Sequence, residues 1–332
     1  MNTRPLTDTT IPARTVETAP ATPPVPLRRL IRAEVSRALA PRTVRYALYA
    51  LPLLVVAFGI SQILSHDTDM AGAWRTADAA FRRHAEEAAS HARPLSPRMS
   101  ANAFFDDPRY QMAKAAFVDL RGIVSALGTG AVAFGILAGG ADWTTRVMLP
   151  LTATEPRRAR LFTTRALVVA ALAAALAAAT AILTLPFLVA AATLNGSMAG
   201  TDTRFWLVLS LLVLRGMSFV AVMALIGYAL AMLTRRTSIA LAIAFAYVVL
   251  GERLLRDFAS GVLEYHLSGL TFALLNERPM MPSDAPTDCV GEVACAAMRE
   301  GLTAGHGYLG LFIHLMPILT LAAWRYVRTD IK

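Results

Sequence analysis

The sequence predicts an all-α polytopic membrane protein, and three observations predict it. Apolar residues make up 55% of the chain and charged residues only 17%, whereas a soluble domain carries about 25% charge. The apolar residues fall into six blocks, several of them exceeding the roughly 18 to 20 residues that cross a bilayer core. The basic residues are dealt to alternate connections between those blocks instead of being gathered on one soluble face. A soluble enzyme of one or two domains is excluded.

The elements follow in order. Residues 1–26 are rich in Thr and Pro and have no periodic apolar face, which reads as a disordered cytoplasmic tail. No apolar stretch follows its first charges, as a signal peptide would require. Residues 27–41 read LRRLIRAEVSRALAP. Leu27, Leu30, Ile31, Val35 and Leu39 recur at helical spacing, with Arg28, Arg29, Arg32 and Arg37 on the other face. That pattern predicts a basic helix lying in the membrane interface, ended by Pro41; a plain basic segment that only sets topology is the alternative.

Six spanning helices are expected over 46–65, 115–140, 163–192, 205–234, 238–250 and 307–327, the fifth running on through Glu252 because it is otherwise short. The third and fourth exceed what the hydrocarbon needs, so tilt, protrusion or bending at Pro186 is expected. Between spans one and two, residues 66–112 mix charges with Trp74, Phe81, Phe104, Phe105 and Tyr110, enough for a small helical cap. Residues 254–305 contain an apolar stretch, 267–275, too short to cross. It predicts a re-entrant or interfacial hairpin before the last span.

Charge sets the orientation. The segment before the first span holds eight arginines against Asp8, Glu17 and Glu34. The loop after the second span holds Arg146, Arg157, Arg158, Arg160 and Arg165 against Asp142 and Glu155. Arg235 and Arg236 follow the fourth span, and Arg325, Arg328 and Lys332 end the chain. Connections on the other side are neutral or acidic. The excess of arginine marks the cytoplasmic side, so both termini lie inside, consistent with an even number of spans.

The chain's own chemistry is sparse. The formal charge of +9 and pI near 10.1 do not point to nucleic acid, because the basic residues form no single face. Its only lysines, Lys114 and Lys332, follow no GxxxxGK[ST] turn, which excludes ATP hydrolysis by a P-loop of its own. No HExxH occurs, and the six histidines have no paired spacing, so no metal site is expected. Cys289 and Cys295 fall in the outer segment, where an oxidising compartment permits a disulfide; free thiols are the other reading. Ser125, in RGIVSALG, fits helix packing better than an intramembrane nucleophile. Arg215 lies about eleven residues into the fourth span, where an ionisable residue marks a functional site. Helical rise places it within about 6 Å of the depth of Glu252 on the fifth span. That predicts an intramembrane charge pair, against the alternative that Arg215 snorkels outward and Glu252 lies in the outer interface.

Residues 139–172 read GGADWTTRVMLPLTATEPRRARLFTTRALVVAAL. This resembles the cytoplasmic loop between the second and third spans of ABC-2 type transporter permeases, where an acidic residue and an aromatic precede a Gly-Thr pair, a Pro-x-Arg segment and a basic residue. Asp142 and Trp143 match the start, Pro156, Arg157 and Arg158 the middle, and Arg165 the opening of the third span. Arg146 and Val147 stand where the family has Gly-Thr. Residues 211–245, with a membrane arginine and an Arg-Arg-Thr turn, resemble that family's fourth-to-fifth span region, and YVVLGERLL (247–255) the end of its fifth span. The resemblance covers roughly 27–328.

The resemblance implies the permease subunit of an ABC exporter in the cytoplasmic membrane of a bacterium. The permease dimerises with a second copy or a homologous permease and works with separate cytoplasmic P-loop ATPase subunits. ATP and Mg would be held by those subunits, and this chain would hold no cofactor. The loop 141–162 would couple ATPase closure to the spans through Asp142, Trp143, Pro156, Arg157 and Arg158, with the N-terminal helix as a second contact. From the residues alone, a membrane-embedded enzyme and a non-transporting sensor or scaffold stay open, and the substrate is unnamed.

Overall fold

The computed structural model describes residues 26–91, 99–144, 157–251, 266–276 and 303–328. Helix α1 (Leu27–Leu39) is followed by Ala40 and Pro41. Pro41 then precedes α2 (Arg42–Leu64), a position where a missing N–H costs nothing. Helix α3 (Met70–Ser90) is capped by Asp69, whose carboxylate accepts from the Gly72 N–H. A short 3-10 turn (Ala101–Phe104) leads to the two-residue strand β1 (Tyr110–Gln111), then α4 (Met112–Thr144). Helix α5 (Arg158–Asn195), strand β2 (Gly196–Ser197) and α6 (Thr203–Thr234) follow. Helix α7 (Thr237–Ala246) passes into a π turn (Tyr247–Gly251), and α8 (Leu267–Asn276) and α9 (Ala304–Arg328) complete the described chain.

Helices α2, α4, α5, α6 and α9 are long and apolar enough to cross a membrane. The fifth apolar block forms a shorter element, Thr237–Leu250. At 1.5 Å per residue it rises about 21 Å, less than a hydrocarbon core of about 30 Å. Its expected extension through Glu252 lies outside the described residues. Helix α5 has 38 residues, so at about 57 Å it overshoots that core, as its sequence predicts. Pro186 lies inside it without ending it. The 267–275 stretch is helical, as α8, and packs against α9.

Helix α6 is the centre of the bundle, packed against α4, α5 and α9. Its closest partner is α4. A Cβ on Gly227 would collide with the Val132 carbonyl oxygen, and one on Gly135 with the Ala224 carbonyl oxygen. Two glycines facing opposite backbones bring the helices together where dispersion is strongest. Helix α2 is the outlier: only 11% of its apolar window is buried, and it rests on α5. The apolar side chains it exposes, Leu53, Leu54 and Ile60 among them, are those a bilayer would solvate.

The charged segment between α2 and α4 does hold a helical cap. Trp74 of α3 stacks on Phe105 at 4.2 Å, Phe81 meets Phe104 at 6.1 Å, and Ala77 is buried beneath them. Strand β1 pairs with β2 in parallel, Tyr110 opposite Gly196. That glycine lies directly against the Tyr110 carbonyl, where no side chain fits.

Candidate functional site at the α1 end of the bundle

Charge brings α1 onto the bundle. Glu34, the one acid among its four arginines, is 3% exposed. It accepts from Arg37 one turn on, at 2.5 Å. Across the helix boundary it pairs with Arg165 Nε of α5 at 3.2 Å. Arg165 also donates from its guanidinium to the Ala138 carbonyl of α4 at 3.1 Å. A cavity of about 20 Å³ lies beside this cluster, bounded by Pro41, Leu137 and Val168 as well as the charged groups. The pair therefore ties three helices at one point. Burying it is worthwhile only with such satisfied geometry, since desolvating two ions costs several kcal/mol each.

A second knot lies where α4 ends. Trp143 meets Tyr326 of α9 edge-on at 6.5 Å, Tyr326 meets Phe162 of α5 at 5.9 Å, and Phe162 meets Tyr228 of α6 at 5.4 Å. The Tyr228 hydroxyl donates to the Phe162 carbonyl at 3.4 Å. Arg235 lies over the Trp143 ring at 4.6 Å, held by a left-handed backbone with φ of 56°. The Arg235 N–H closes α6 on the Ala231 carbonyl at 2.8 Å, in the manner of a left-handed C-terminal cap. Arg325 of α9 donates to the Leu233 carbonyl at 2.7 Å.

Together the two knots fix both roots of the 145–156 connection. Its departing root, Trp143, is stacked into α9 and the α6–α7 turn. Its returning root, the first two turns of α5, is held by Phe162 and by the Arg165–Glu34 pair. The described residues that flank 145–156 thus reach α1, α4, α5, α6 and α9.

The predicted residues distribute as follows. Trp143 faces the bundle, Arg157 is the exposed residue preceding α5, and Arg158 opens that helix. Asp142 lies in the last turn of α4. Pro156 lies outside the described residues, as do Glu252, Cys289 and Cys295. Arg215 is half-buried in α6; its carbonyl accepts from Ser218 Oγ at 2.7 Å, and Ser218 Oγ meets the Tyr308 hydroxyl of α9 at 3.0 Å. Ser125 is exposed on the flank of α4. Among the described residues no group of three or more His, Cys, Asp or Glu is placed to hold a metal ion. The sequence reading missed Glu34, which it counted only as charge, and Phe162, Tyr228 and Tyr326, which it counted only as apolar.

It also missed a polar network at the opposite end. Tyr110, fully buried, donates to Asp119 Oδ2 of α4 at 2.7 Å, and Gln62 of α2 donates to Oδ1 at 3.3 Å. Asn195 donates to the last-turn Ile63 carbonyl of α2 at 2.6 Å. Burial, then the bond to Asp119, pushes the Tyr110 hydroxyl above its ordinary value. Nearby, Arg109 grips Asp107 through two nitrogens at 2.9 and 2.8 Å. That hydrogen bonding holds the Asp107 carboxyl well below the usual carboxylate range.

Apolar helices of spanning length, joined by polar knots at both ends, define a polytopic helical membrane protein. Compared with family models, curated proteins and solved structures, the chain matches none.

Proposed function

We propose that this chain is the membrane-spanning subunit of an exporter of the ABC-2 type, driven by ATP hydrolysis in separate P-loop subunits. The observation that carries the reading is the double anchoring of the 145–156 connection. A segment meant to receive force from a partner needs rigid roots, and these roots are fixed to five helices. The arginine excess at the α1 end supports placing that end, with both termini, in the cytoplasm, and six spans follow if the block beginning at Thr237 crosses. In this reading Arg157 and Arg158 present charge to the ATPase, Asp142 and Pro156 shape the coupling loop, and Trp143 anchors it. Helix α1 moves with α5 through Glu34 and Arg165. The permease works as a dimer, and Arg215 with Glu252 braces the side away from the ATPase.

The test is copurification of the full chain with its ATPase, followed by Arg157→Glu with Arg158→Glu. The expected result is normal membrane insertion with ATP hydrolysis no longer tied to substrate export. Unchanged coupling in a correctly inserted variant, or no ATPase bound to the wild type, overturns the proposal.

A further inference from the structure

The end of the bundle where α6 turns into α7 gathers four arginines: Arg235 and Arg236 in the turn, Arg325 and Arg328 in the last turn of α9. Three of them, Arg236, Arg325 and Arg328, are exposed. Among the described residues no carboxylate pairs with Arg235, Arg236 or Arg328. The cluster is also held in place. Arg325 is fixed on the Leu233 carbonyl, and Arg235, with its left-handed backbone, has its guanidinium over the Trp143 ring at 4.6 Å.

Such an arrangement is costly on its own. Arg235 Nε is buried without an acceptor among the described residues, and so is the neighbouring Trp143 Nε1. Burial, and then the charge of Arg325, lower the Arg235 pKa from its ordinary value, so the protein itself disfavours the cation it has placed there. An anion binding across the exposed arginines would offset that repulsion. The position names its source. Helix α9 has 25 residues, or about 37 Å, only slightly more than a hydrocarbon core of about 30 Å, so its last turn lies near the headgroup level of any bilayer it crosses. Trp324 is exposed one turn back, under the Arg328 guanidinium at 5.4 Å, the amphipathic ring expected at a membrane interface.

We propose that Arg235, Arg236, Arg325 and Arg328 form a binding site for the phosphodiester headgroup of an anionic phospholipid, which fastens the end of α9 to the α6–α7 turn. Binding is by charge and hydrogen bonding to phosphate oxygens, with the acyl chains along the exposed face of α9 below Trp324. The site is independent of the exporter reading, because it needs only that α6 and α9 span.

The experiment uses the full chain, reconstituted in nanodiscs of phosphatidylcholine with or without phosphatidylglycerol. Native mass spectrometry counts retained lipid and a thermal melt reports stabilisation. Phosphatidylglycerol should be retained and raise the Tm, with both effects falling as salt rises. Arg236→Gln with Arg328→Gln, two exposed positions, should weaken retention roughly five-fold per arginine. Arg75→Gln with Arg83→Gln on α3, exposed at the opposite end of the bundle, serves as a control for general surface charge and should change retention less than two-fold. Arg235→Lys, which keeps the charge, should keep the Tm gain. Equal retention of the two lipids, an unchanged Arg236/Arg328 variant, an equal loss in the α3 control, or loss of the Tm gain in Arg235→Lys overturns the proposal. So does an equal Tm gain from inorganic phosphate in phosphatidylcholine alone, which would make the ligand a free anion.

Discussion

Replacing Glu34 by Ala tests the α1 clamp. The substitution strips the carboxylate from beside Arg165, whose side chain is 6% exposed, and from Arg37. At 3.2 Å and an effective dielectric of 20, the Glu34–Arg165 attraction is about 5 kcal/mol. Removing one member of such a buried pair costs about 3–5 kcal/mol, because the other charge stays behind in a dry site. Replacing both, Glu34→Leu with Arg165→Met, removes the desolvation penalty together with the attraction and should return stability to within about 1 kcal/mol of wild type. Reversible unfolding of purified protein in mixed detergent micelles, followed by tryptophan fluorescence, measures all three variants. A Glu34→Ala cost below about 1 kcal/mol, or a double replacement as damaging as the two singles added, would refute the reasoning.

Three further outcomes are expected. Gly227→Ala drives a methyl into the Val132 carbonyl and should cost about 1–3 kcal/mol or more, whereas Gly122→Ala, which meets nothing within 4 Å, should gain about 0.5–1 kcal/mol; the same unfolding assay compares them. Asp107 titrates below its unfolded value near 4, so its contribution is complete above that pH and is lost only as the solution is acidified further. Melts of wild type and Asp107→Asn should therefore differ by a constant amount from pH 5 to 8 and converge in acid. If Arg215 and Glu252 pair, exchanging them should restore assembly or export relative to either single reversal, measured in membranes; a double variant no better than the singles removes the pair.

The spans were legible because burial in lipid demands long apolar runs, and α2, α4, α5, α6 and α9 all supply them. The cap was legible in outline for a similar reason, since Trp74, Phe81, Phe104 and Phe105 are too many aromatics for a bare connection. Glu34 was not. Its local setting, one acid among arginines on an interfacial helix, is the same whether it faces water or Arg165, and that partner is 131 positions away. The same holds for Asp119, whose partners Tyr110 and Gln62 come from two different elements. Hydropathy reports how deep a segment sits but not which neighbour it meets, so pairwise polar knots escape it. The α7 region was half legible. Its apolar content and its shortness were evident, but the run Tyr247–Gly251 carries no residue pattern that distinguishes a π turn from a continuing α-helix.

The glycine contact between α4 and α6 has a consequence for biogenesis. The two helices that fit each other best are not consecutive: all of α5 is made between them. During synthesis α4 must wait in the lipid with Gly135 facing acyl chains until α6 leaves the insertion machinery. Helix α5 touches both partners in the finished bundle. A nascent chain stopped after Asn195 would thus be inserted but unlatched, and a substrate for membrane proteases. One carried to Thr234 would have closed its central pair before α7, α8 or α9 existed.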